Sequence, residues 1–215
     1  MVLFQIFILF PPPALLVPAD KKPIILYCQF YAAPQISQFP GVVNFTLRHG
    51  FNTLMVVIFD FGEARFNRTT IDYFISYARS KGLTFVPSYY IRSTSDQMDV
   101  SGLTWVNLDM ERLNSYDQRV FYDRIAQIVP LVSVTSPYGQ PVGFHTPMHI
   151  IETYSGSPQF WLSQLGYYHP GTICSVAAWL LSSQQGYDAE KDYCLKYSDG
   201  VMVFDYYNLL NSGFS

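Results

Sequence analysis

From Pro23 onward the chain alternates short apolar runs with amphipathic stretches. Residues 24–30 are apolar and β-prone throughout, the pattern of a strand buried on both faces. Residues 42–49 read as a short helix, ended by Gly50 at a C′ position. Residues 54–59 repeat the buried-strand pattern and finish at Asp60. Thr69 and Thr70 offer an N-cap for a helix through Lys81, in which Ile71, Phe74, Ile75 and Ala78 fall at helical spacing before Gly82 stops it. Residues 83–89 predict a third strand and 104–111 a fourth. Asp117 opens a helix carrying Val120, Phe121, Ile125, Ile128 and Val129, closed by Pro130. A fifth strand is expected at 141–145, a helix from Pro158 to Leu165, a sixth strand at 172–178 and a seventh at 200–205.

Strand and helix in alternation, with nearly continuous apolar strands, predict a parallel sheet covered on both faces. Several strands end in polar or aromatic groups: Gln29 and Tyr31, Asp60, Tyr89 and Tyr90, Glu111, His145, Trp179, Asp205. A (β/α)8 (TIM-type) barrel would bring all of these to one mouth. An open doubly wound sheet would gather them at a switch point instead, but no Gly-rich phosphate loop follows the first strand. The expectation is therefore an α/β barrel, complete or cut short, over residues 23–215. No internal repeat or low-complexity linker interrupts it.

The fourth strand breaks the apolar rule in an ordered way. Val106, Leu108 and Met110 form one face, while Trp105, Asn107, Asp109 and Glu111 share the other. Stacking two carboxylates in one column destabilises a strand, and acid–base chemistry is the simplest reason to keep it. The bland alternative is an ion-pair network with Arg92 or Arg112.

Composition narrows the class. The 215 residues are 49% hydrophobic and include 17 Tyr and 17 Phe, enough for a sizeable core, while only 13% are charged. That profile suits work outside the cell or at its surface on polar, uncharged material. A net charge of -3 without a basic stripe argues against nucleic acid. Residues 1–22 form an apolar segment that reads as an export signal, with an uncleaved anchor or a hydrophobic strand as alternatives; the run of residues 2–10 is too short to span a bilayer. Cys174 and Cys194 could pair in an oxidising compartment, and Cys28 reads as buried filler. His145, His149 and Glu152 invite a metal reading that Pro147 defeats, since an i, i+4 histidine pair needs a helix. No metal or cofactor is expected.

Asn107-x-Asp109-x-Glu111 resembles the D-x-D-x-E motif on the fourth strand of family-18 chitinases, with Asn in the first acidic position. Met202-Val203-Phe204-Asp205 resembles the M-x-Y-D of a later strand in that family, with Phe204 where a Tyr hydroxyl is expected. Family-25 lysozymes, the second resemblance, call for an Asp on strand one that residues 27–31 do not supply. The chitinase resemblance implies a glycoside hydrolase acting on a polysaccharide or cell-wall glycan that contains N-acetylamino sugars. It casts Glu111 as the acid, Asp109 as the group that raises the acid's pKa and orients the substrate's acetamido nucleophile, and Asp205 as a further catalytic carboxylate. Asn107, Tyr31, Asp60, Tyr89, Tyr90, Trp179 and Tyr206 are the substrate-binding candidates, the aromatics because flat rings suit the apolar faces of pyranoses. The alternative is a non-catalytic glycan-binding or structural surface protein on the same barrel.

Overall fold

The strand-forming runs pair side by side in chain order until the last returns to the first. The computed structural model describes residues 21–30, 33–60, 62–136, 143–152, 171–181 and 183–212. Its barrel strands are β1 (Ile24–Cys28), β2 (Thr53–Asp60), β3 (Thr84–Tyr90), β4 (Trp105–Asp109), β5 (Leu131–Ser136), β6 (Met148–Ile151), β7 (Thr172–Ala177) and β8 (Val201–Phe204). Every neighbouring pair is parallel, and β8 closes on β1 with Ile24 opposite Val201 and Tyr27 opposite Phe204. The result is a closed (β/α)8 barrel. A two-residue segment, Glu63–Ala64, folds back antiparallel on the end of β2.

Helices α1 (Phe39–Arg48), α2 (Arg68–Ser80), α3 (Ser115–Ala126), α4 (Gln184–Tyr197) and the short α5 (Tyr206–Asn211) are described outside the sheet. Asn67, not Thr69 or Thr70, caps α2, its side chain accepting the Thr70 N–H at 2.9 Å. Asn114 likewise caps α3 by accepting the Asp117 N–H, so that helix starts two residues before Asp117. In both cases a short amide side chain outside the helix satisfies the first-turn donors. Gly50 and Gly82 take positive φ after α1 and α2, as their places in the sequence predict.

The fifth strand departs from expectation. Residues 143–145 are not in a strand, and two strands, β5 and β6, flank that position instead. Leu131-Val132-Ser133-Val134-Thr135-Ser136 alternates apolar with hydroxyl residues, because the hydroxyl side faces a polar layer inside the barrel rather than the outer core. This segment supplies the eighth strand. The helix expected at 158–165 and the apolar segment 1–20 lie outside the described residues.

Two cores result. Inside the barrel, Ile25, Tyr27, Met55, Val57, Val86, Trp105, Ile150, Ile173 and Met202 pack together, with Tyr27 and Val57 reaching the mouth. Outside, Leu26, Cys28, Val56, Val106, Leu108 and Met110 face the helices with Phe39, Phe74 and Phe121. The two sides of β4 separate as the alternation predicts. Cys174 on β7 and Cys194 on α4 form a disulfide, and Cys28 is free and buried. Among the described residues no helix is long and apolar enough to cross a membrane.

Candidate active site

Above the apolar filling lies a polar layer built around Asn107, which is fully buried. Its Nδ2 donates to Ser88 Oγ at 2.9 Å, while its Oδ1 accepts from Ser133 Oγ at 2.9 Å and Thr135 Oγ1 at 3.2 Å. Trp105 Nε1 donates to Ser133 Oγ below it. Asn107 therefore supports the barrel floor and does not reach the mouth.

The mouth itself is a cavity of about 290 Å³, lined by Tyr27, Gln29, Asp60, Tyr90, Arg92, Asp109, Glu111, Glu152 and Phe204 among others. Asp109, at the end of β4, is only 6% exposed. Burial, reinforced by the charge of Glu111 and then of Asp60, raises its pKa well above the carboxylate range; a hydrogen bond from the Glu111 N–H opposes this only in part. Its Oδ1 accepts no hydrogen bond. Glu111 is half-buried, so the upper carboxyl of the column meets solvent. Glu152, at the end of β6, completes the group: one oxygen from each of Asp109, Glu111 and Glu152 lies within 4.8 Å of the others. The Glu152 N–H donates to the Ser136 carbonyl, tying its position to β5.

Neither Asp109 nor Glu111 forms an ion pair among the described residues. The arginines answer to other partners. Arg65 holds Asp60 Oδ2 at 2.6 Å, Arg92 stands 3.9 Å from Asp60 Oδ1 and over the Tyr90 ring, and Arg112 Nε donates to Tyr90 OH. Tyr27 bonds Ser88 and lies 4.7 Å from the Phe204 ring; burial first, then Asp109 and Glu152, raise its pKa well above the phenol range.

The expected residues divide accordingly. Asp109, Glu111, Asp60 and Tyr90 meet at the mouth. Tyr89 points the other way, into the outer core beside Phe59, with its hydroxyl donating to the Asp99 carbonyl. Trp179 stands on a 3-10 turn after β7, half-exposed, with its ring edge-on to Phe204 at 5.7 Å. Tyr206 packs against Phe45 outside the barrel. Asp205 is buried and caps α5, its Oδ1 accepting the Asn208 N–H and the Asn208 side-chain amide. Met202 to Asp205 ends β8, the last strand of the barrel, whereas Glu152 ends β6. Tyr31 lies outside the described residues. His145 is exposed and His149 engages Ser136 at 2.6 Å, so neither joins Glu152 at the mouth. Gln29 stands at the mouth, as its place at the end of a strand predicts, whereas Tyr27 and Glu152 are there without having been expected. Glu152 carries the same strand-end signal as Glu111, but its strand runs over Met148–Ile151, later in the chain than the expected 141–145.

A (β/α)8 barrel with carboxyl groups clustered at the C-terminal ends of its strands is the class that fold and site define. No protein-family model matches the chain, and no curated protein sequence is significantly similar to it. Its fold is similar to that of a GH113 β-1,4-mannanase (TM-score 0.63, 11% identity, covering 86% of this chain and 87% of that one). It is similar too to a GH18 chitinase from Flavobacterium johnsoniae (TM-score 0.54, 12% identity, 89% and 92% covered). A protein named as an aldo-keto reductase from Pseudomonas aeruginosa shares the barrel as well (TM-score 0.56, 11% identity, 88% and 86% covered). At these identities the likeness is one of fold alone, that of a TIM barrel.

Proposed function

We propose that the chain is a glycoside hydrolase that cleaves a polysaccharide containing N-acetylamino sugars, with Glu111 as the proton donor. The observation that carries this reading is the convergence of Asp109, Glu111 and Glu152 at the open end of the barrel. Burial and the neighbouring carboxyl charges favour a proton on Asp109, and a proton held at the mouth is what a glycosidic oxygen needs. Asp109, buried and of high proton affinity, holds that proton beside Glu111 and faces the substrate's acetamido group. Glu152, at the end of β6, adds a third carboxyl group to the pair that the chitinase resemblance picks out. The substrate supplies the nucleophile, which separates this chemistry from the two-carboxylate scheme. Tyr90 and Phe204 offer ring faces to the sugar.

The glycan belongs outside the cell or on its surface, a location with which the Cys174–Cys194 disulfide is compatible. Release of reducing ends from chitin and peptidoglycan tests the reading. Glu111→Gln should lower the rate by about 10²–10⁴-fold, the usual worth of a general acid; activity unchanged by that substitution would dismiss the assignment. A second reading, glycan binding without turnover, is favoured by one feature. Asn107 replaces the first acid of the motif with an amide whose Oδ1 and Nδ2 are both engaged in the barrel floor. Glycan binding with no reducing ends from wild type would support it.

A further inference from the structure

We infer that Asp109, Glu111 and Glu152 form a binding site for a hard divalent cation, calcium ahead of magnesium. The donor set is all oxygen, which suits calcium, magnesium or manganese and not the softer metals that prefer nitrogen and sulfur. Its spacing favours the larger of them. Two ligands of one ion can stand no farther apart than twice the metal–oxygen distance, about 4.2 Å for magnesium and about 4.6–5.2 Å for calcium. The three donors lie within 4.8 Å of one another, an upper bound that suits the larger and geometrically more flexible calcium ion better than magnesium.

A cluster of acids alone would not carry this. The second observation is the orphaned oxygen: Asp109 is more than nine-tenths buried, lines the cavity, and presents an Oδ1 that accepts no hydrogen bond. Across the same cavity Asp60 Oδ1 also lacks a hydrogen-bond donor, with only the Arg92 guanidinium 3.9 Å away. A buried carboxylate oxygen without a donor is rare, and an ion is one of the few things that accounts for it. No Lys or Arg pairs with Asp109 or Glu111 among the described residues to take the ion's place. The strand ends of β4 and β6 hold the ligands on rigid backbone, and a cavity of about 290 Å³ leaves room for the waters that complete a calcium shell.

The site is shared with the proposed acid, so a bound cation would occupy Glu111 and oppose hydrolysis. The test needs no glycan and is therefore independent of the hydrolase reading. The full chain, stripped with a chelator, is titrated with calcium chloride in a calorimeter, with the melting temperature followed in parallel. One saturable site is expected, weakened at least tenfold by Glu152→Gln and by Asp109→Asn and unchanged by Asp72→Asn on the surface. Absence of both heat and thermal shift up to roughly 10 mM, beyond the range of weak extracellular sites, would overturn the proposal. So would binding that survives both substitutions in variants whose circular dichroism matches wild type. Should Asp109→Asn fail to fold, Glu111→Gln takes its place.

Discussion

Asn107 and Asp109 stand two residues apart on the same face of one strand, and their polar atoms are treated in opposite ways. Both Oδ1 and Nδ2 of Asn107 are hydrogen-bonded inside the barrel, whereas Asp109 keeps an Oδ1 with no donor in the cavity wall. The strand thus passes from a satisfied floor to an unsatisfied mouth within one repeat of its pleat. Structure ends and chemistry begins between these two side chains.

Asn107→Asp, which would restore the acidic first position of the motif, is expected to harm the fold. The new carboxylate would sit where exposure is zero and would lose the donor that now serves Ser88 Oγ. A cost of about 1–3 kcal/mol follows from one broken buried bond and one desolvated charge. Denaturant melts should show the deficit growing from pH 5 to pH 8 as the introduced acid is forced to ionise.

Asp109 dictates its own pH dependence. Its folded pKa lies above the unfolded value, so the folded state holds the extra proton between the two. Its contribution is therefore complete below about pH 4, where both states are protonated, and declines as pH rises through the raised folded value. Asp109→Asn should melt higher than wild type at pH 7, in chelator, with the difference vanishing near pH 4. Thermal melts across that range check the sign.

Tyr89 and Tyr90 are neighbours with different duties. Tyr89→Ala empties a fully packed outer-core position and should cost about 3–5 kcal/mol. Tyr90→Ala leaves stability within about 1 kcal/mol of wild type, because the ring is only half-buried at the cavity, but it should weaken glycan binding. Measured binding and denaturation midpoints for the pair should move in opposite columns.

The Cys174–Cys194 bridge closes a sequence separation of 20 residues. Replacing both cysteines with Ala should lower stability by about 3 kcal/mol, the loop-entropy value for a ring of that size. Urea midpoints of the double variant against wild type give the number.

Much of this was legible in residue order. The period-two column of β4 revealed both the polar face and its direction, because a strand has only two sides. Repeated apolar strands predict the barrel, but β5 is not legible as one of them: Ser133 and Thr135 dilute its hydrophobicity, and only the closed interior explains why hydroxyls belong there. Missing β5 displaced β6, and with it Glu152. Tyr89 and Tyr90 were both assigned to the mouth although adjacent strand residues oppose each other. Asp205 resembled a catalytic acid because the same strand-end position suits a helix cap, and which duty it performs depends on α5.

The contact of Tyr27 with Phe204 is also a seam. It joins the first strand to the last, and both rings wall the cavity. A chain cut before Val201 would carry seven barrel strands with two unpaired edges, a species prone to aggregation and not a weaker version of the native protein. One wall of the cavity, Phe204, therefore belongs to the strand that closes the barrel.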